Sequence, residues 1–257
     1  HFGQHVHNLG RLQQMQRAQI EYVAHSPARV MRGGTSTLIG LVIPDVENAF
    51  YSTMAQAMSE SCAQAGYQLV LSLTDDDPDA ELRQVRGLFS ARAAAVAIVP
   101  SASPHAATLS ILSGVTHVQL VRRAARLGTD WFGIDDVATT HLATSHLLAL
   151  GHRRIGYVGG PEALSTGAKR LEGFRRAYRD AGLDPALGLA ETGGYDHAFG
   201  AAALERLLAK SPRPTAIVTA SARATVGVLE ALTRRGIKVP EDLSVVVVGT
   251  GGLSHQV

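Results

Sequence analysis

Residues 152–183 read HRRIGYVGGPEALSTGAKRLEGFRRAYRDAGL. The run RIGYVG (154–159) is apolar nearly throughout, and GGP closes it. A short continuous apolar run bounded by such breakers reads as a strand covered on both faces. STGAKRLEGF (165–174) then leads into a helix expected over 168–182. Strand followed by helix is the opening of a βαβ unit, so the stretch predicts an α/β fold.

The same rhythm extends in both directions. Strands are expected at 38–43, 68–73, 94–100, 117–121, 215–220 and 244–249. Helices are expected at 49–66, 79–91, 137–150, 197–210 and 223–236, the last ending in basic residues and a glycine. The alternation breaks in RRAARLGTDWFGIDD (122–136), which offers only the weak strand WFGI. A crossing between two α/β lobes is expected at about residues 148–160, giving lobe 1 at 38–150 and lobe 2 at 151–257. Two such lobes enclose a cleft suited to a small ligand.

Composition narrows the function. The chain has 257 residues, 46% hydrophobic, with 24 Lys+Arg against 22 Asp+Glu. That excludes a chain held to nucleic acid by bulk charge, and wholesale disorder. The single cysteine, Cys62, excludes an internal disulfide framework and suits a reducing cytoplasm. No run approaches a membrane helix, and the polar N-terminus lacks the apolar core of a secretory signal. GxSxG, GxxxxGK[ST] and HExxH are all absent, so no enzyme, metal or cofactor is expected. VVVVGTGG (245–252) lacks complete dinucleotide-loop spacing.

Residues 1–37 differ from the rest. They hold Arg11, Arg17, Arg29 and Arg32 against the single acid Glu21. Residues 4–25 read as a helix with a thin apolar stripe. SPARVMRGGTST (26–37) reads as a linker containing a short helix, with Ser26 as N-cap, Pro27 in the first turn and Gly33-Gly34 as its end.

Candidate ligand groups gather after strands. Asn48, Phe50 and Tyr51 follow LIGLVIPD, and two adjacent aromatics can wall a pocket. Thr166 offers a hydroxyl and Arg170 a planar fork of donors. Tyr195 sits in GGYDHAFG. Arg122 lies where the alternation breaks, and Asp136 near a strand's carboxyl end. The cluster Asp75-Asp76-Asp77 reads instead as loop solvation and helix capping.

LIGLVIPDVENAFYSTMAQAMSESCAQAGYQLVL (38–71), HLLALGHRRIGYVGGPEALSTGAKRLEGFRRAYRDAGL (146–183) and PTAIVTASARATVGVLEALTRRGIKVPEDLSVV (214–246) resemble the lactose-repressor-type (LacI/GalR) family. The resemblance runs over about residues 10–248 and is nearest to the purine- and ribose-type effector domains, through STGAKR. It implies a two-lobed, periplasmic-binding-protein-like effector domain behind a helix-turn-helix and a hinge helix. It also implies a homodimer that binds operator DNA, as a regulator or repressor. Phe50, Tyr51, Thr166, Arg170 and Tyr195 resemble effector-contacting positions. Residues 1–25 resemble the end of a DNA-binding headpiece, with Arg11 contacting DNA backbone. Residues 26–37 resemble the hinge, with Arg29 and Arg32 near phosphates and Val30 or Met31 as the apolar wedge.

The chain departs from the family pattern in places. The recognition helix is not identifiable. Ala222 stands where an acid is usual, and VVVGTGG replaces "GFDD". The pattern also continues beyond Val257, for a segment expected to return to lobe 1. The rival reading is an exported solute-binding protein of the same architecture, which the basic N-terminal stretch disfavours.

Overall fold

The computed structural model describes residues 36–128 and 130–249. Lobe 1 contains β1 (Leu38–Ile43), α1 (Ala49–Gln64), β2 (Gln68–Leu73), α2 (Pro78–Ser90), β3 (Ala95–Ile98), α3 (Ala106–Ser113), β4 (His117–Leu120) and β5 (Trp131–Phe132). Its strands form one sheet in the order β2-β1-β3-β4-β5, parallel throughout. The chain continues through α4 (Asp136–Ala149), β6 (Ile155–Gly159), α5 (Ser165–Asp180), β7 (Leu189–Thr192), α6 (His197–Leu208), β8 (Ala216–Thr219), α7 (Ala222–Arg234) and β9 (Ser244–Val247). A second parallel sheet has the order β7-β6-β8-β9. The expected α/β class with two parallel sheets is what forms.

Apolar strands explain the layering. In lobe 1, Leu41, Val42 and Ile43 are fully buried, and successive side chains alternate between faces. Val42 packs with Val85 and Leu88 of α2, whereas Leu41 and Ile43 pack with Tyr51 of α1. In lobe 2, Tyr157 packs with Phe174 and Tyr178 of α5 on one face. Val158 meets Leu204, Leu207 and Val228 on the other.

Several helices start where a short polar side chain can take up a free N–H group. The Asn48 side chain accepts from Phe50 N, Asp135 from Ala138 N, and Asp196 from Phe199 N. Asp77 accepts from Asp79 N and Ala80 N, so the capping reading of the acidic cluster holds for Asp77.

Three elements differ from expectation. α3 and β7 are additional, and α5 begins at Ser165 rather than 168. The crossing also lies earlier than 148–160. Leu147 and Leu148 of α4 belong to the core around Tyr157 and Phe174, so α4 packs with lobe 2. The chain therefore passes between lobes at Gly133–Asp135. Apolar periodicity shows that a helix is amphipathic but not which sheet it covers.

α6 and α7 approach at backbone distance. A Cβ on Gly227 would lie 1.9 Å from the His197 carbonyl oxygen. Gly227→Ala is expected to push these helices apart and cost about 1–3 kcal/mol, read as a lower urea midpoint.

Candidate functional site

One cavity of about 1060 Å³ lies between the lobes. Its walls come from the loops after β1, β2, β4 and β5 on one side and after β6, β7, β8 and β9 on the other. Carboxyl ends of parallel strands gather ligand groups because successive connections part there, leaving a crevice. Of the residues singled out in the sequence, Asn48, Phe50, Tyr51, Arg122, Thr166, Arg170 and Tyr195 all line this cavity. Asp136 does not line it; it stands behind, as the partner of Arg170.

Lobe 1 contributes the aromatic side. Phe50 and Tyr51 meet edge to face at 5.7 Å between ring centroids. Phe50 is exposed toward solvent and Tyr51 is buried. Burial pushes the Tyr51 hydroxyl up to about 12, with Arg122 pulling the other way, so it stays a proton donor at neutral pH. Asn48 lines the cavity while its Oδ1 caps α1.

Arg122 is 4% exposed, and its two terminal nitrogens both donate to the Asp76 carboxylate. Its guanidinium also lies over the Tyr195 ring, 5.7 Å from the centroid, which joins the two lobes. Two unusual backbones place this ion pair. Val121 has φ 62 and Asp76 has φ 60. For a β-branched residue that is a strained conformation. It tightens the chain so that Arg122 N donates to Leu120 O at 2.5 Å, turning the arginine inward. Asp76→Ala is expected to leave a buried guanidinium without its partner. The cost is about 1–3 kcal/mol in an unfolding titration.

Lobe 2 contributes the second arginine. Arg170, on α5, donates from Nε to Asp136 Oδ1 at 2.6 Å and from Nη1 to the Ala220 carbonyl at 2.8 Å. These bonds fix the fork, and among the described residues its Nη2 donates no hydrogen bond. Burial holds the Asp136 carboxyl above the usual carboxylate range, and the Arg170 charge pulls it part of the way back. Thr166 Oγ1 and the Tyr195 hydroxyl stand 3.4 Å apart. Gly167 lets this turn close, since a Cβ there would lie 2.0 Å from Pro161 O.

Sequence reasoning gave Asp76 to loop solvation and capping, but it holds Arg122, and it passed over Phe132 and Arg223; all three line the cavity. For Asp76 the signal was its place just after β2, shared by the other site residues. The DNA-contact candidates Arg11, Arg29, Val30, Met31 and Arg32 lie outside the described residues, as does the hinge through residue 35. Among the described residues, no group of three or more His, Cys, Asp or Glu is placed to hold a metal ion.

Residues 144–255 match the family model for a periplasmic binding protein-like domain. The chain is 27% identical to an HTH-type transcriptional repressor PurR of Haemophilus influenzae over 89% of this chain and 68% of that protein. It is 29% identical to the ribose operon repressor of Escherichia coli, again over 89% of this chain and over 70% of that protein. A LacI family transcriptional regulator from Mycobacterium smegmatis superimposes with a TM-score of 0.71 at 31% identity, covering 82% of this chain and 78% of that one. With the family's motifs, its two-lobed fold and a ligand-sized cleft at the strand ends, this chain belongs to the LacI family of transcriptional regulators.

Proposed function

We propose that the chain is a DNA-binding transcriptional repressor controlled by a small polar effector held between its lobes. The observation that carries this reading is the cleft. Both lobes aim aromatic rings and arginines into one cavity of about 1060 Å³, in a chain related to repressors. A flat polar ring, such as a sugar or nucleobase, suits stacking faces beside fixed hydrogen-bond donors. The ribose operon repressor among the relatives supports the sugar side. The relatives also favour a repressor, with a cytoplasmic place of action, over an exported solute-binding protein.

The effector acts by binding one lobe arrangement better than another. Lobe movement then changes the spacing of the DNA-binding segments in a dimer, which couples the two sites. The β2 edge supports a dimer. Tyr67, Val70, Leu71 and Leu73 expose apolar surface on and beside a strand that, among the described residues, is paired on one side only. Such an edge invites pairing with a second chain.

Operator-fragment binding across a salt series tests the DNA reading. A steep salt slope with sequence preference is expected. No binding to its own promoter region at low salt sinks it. A thermal-shift screen of sugars and nucleobases tests the effector, because a ligand of the native state raises the melting temperature. If none of them raises it, the effector class is wrong.

A further inference from the structure

α7 opens with a local contradiction. Its first turn carries Arg223 and no acid, behind the N-cap Ser221. The first turn of a helix favours Asp or Glu, because the dipole's positive end lies there. Helix chemistry alone does not call for an arginine at this position. Where local preference is broken, a tertiary or functional reason is expected.

The compensating charges come from the other lobe. Arg223 Nη2 lies 2.8 Å from Glu47 Oε2, and Nη1 lies 4.0 Å from Asp45 Oδ2. Both acids sit in the loop after β1. Asp45 is already oriented: its Oδ1 accepts the Asn48 N–H at 2.8 Å, leaving Oδ2 toward Arg223. Asn48 in turn caps α1, so the loop is tied to the lobe 1 frame. On the other side, Ala224 and Val228 anchor α7 in the lobe 2 core. All three charged residues line the cavity. Among the described residues, no other ion pair bridges the lobes.

We propose that Arg223, gripping Asp45 and Glu47, is a positioning residue that clasps the two lobes across the cleft and so sets their open-to-closed balance. It rests on the cleft being the effector site. A partly exposed ion pair contributes little to the stability of a rigid molecule. Lobe closure is different, because the two arrangements lie close in free energy. A several-fold change in their ratio passes directly into apparent effector affinity. Two acids on one cation, one of them held in place beforehand, reduce the ordering that the contact requires.

The test uses the full chain. Cys62, the single cysteine, is replaced by alanine. Spin labels are attached through Ser59→Cys on α1 and Lys210→Cys just after α6, both exposed positions. Labelled protein is diluted into unlabelled protein to suppress distances between subunits. Double electron–electron resonance then reads the distance between lobes. Arg223→Ala is expected to lengthen and broaden the distribution, and Arg223→Glu to do so further. Adding Glu47→Arg to Arg223→Glu brings it back at least in part. About 1 M salt, with a Debye length of about 3 Å, should move the parent toward the Arg223→Ala distribution.

Distances unchanged in both Arg223 variants overturn the clasp. The effector reading is scored separately, by thermal shift with ribose and with adenine. A shift that Arg170→Ala abolishes, beside unmoved distances, sinks the clasp and leaves the effector site. Moved distances with no response to either compound keep the clasp and tell against the effector reading.

Discussion

Arg170→Ala is expected to cost about 3–5 kcal/mol of folding stability at neutral pH and to abolish any ligand-induced rise in melting temperature. Both effects have one source. Asp136 is buried at 6% exposure, and Arg170 Nε is its charged partner at 2.6 Å. Removing the cation strands a carboxylate in a poorly solvated place and deletes a donor fork from the cavity wall. The double variant Asp136→Leu with Arg170→Met should recover much of the stability but none of the ligand response. If Arg170→Ala leaves the ligand shift intact, Arg170 is a structural residue only.

The pH dependence has a defined sign. The folded-state value for Asp136 is raised above its ordinary range. Its contribution is therefore fully present below the unfolded pKa and is lost as pH rises through the raised folded value. Without Arg170 that folded value climbs further, because the lowering charge is gone. The deficit of Arg170→Ala should thus shrink from neutral pH toward about pH 4, near the unfolded carboxylate value. Urea midpoints at the two pH values measure it. A deficit that grows on acidification contradicts the assignment.

Phe174→Ala is expected to destabilise the protein by about 3–5 kcal/mol. Phe174 is 1% exposed, with Tyr157 at 5.1 Å and Tyr178 at 5.5 Å between ring centroids. Truncation opens a cavity between two rings, and Tyr178 is held from collapsing into it because its OH donates to Arg153 O and accepts from Ile155 N. Phe174→Leu, closer in volume, should cost less than about 1.5 kcal/mol. Far-UV circular dichroism in urea reads the loss. Trp131, the only tryptophan, sits in lobe 1 on β5 and follows that lobe by fluorescence. A Phe174→Ala midpoint within error of the parent would mean that this core is loosely packed.

The parts of the site legible in the sequence were those carried by local order. Phe50, Tyr51, Thr166, Arg170 and Tyr195 each follow a strand closely, and parallel strands bring their carboxyl ends to one crevice. Asp76 and Asp136 were harder to place. Both sit beside a helix start, where an acid has an ordinary capping use. The structure divides the roles between neighbours: Asp77 and Asp135 cap, whereas Asp76 and Asp136 hold arginines. Adjacent residues point in different directions, and only the third dimension says which one meets a partner. α3 is eight residues long and β7 four, too short to show a period.

The sequence by itself determined the α/β class, the two parallel sheets and the family. The fold class depends on composition and periodicity within ten or twenty residues, where burial on both faces demands an apolar run, and the family on the resemblance of stretches such as residues 146–183. Tertiary structure alone decided which lobe owns α4, that Arg122 and Arg170 are held by Asp76 and Asp136, and that Arg223 reaches Asp45 and Glu47. The physical reason is range. Hydrophobic patterning is written locally, but a charge finds its partner across 34 to 178 positions of chain, and its worth depends on the burial that the fold creates around both.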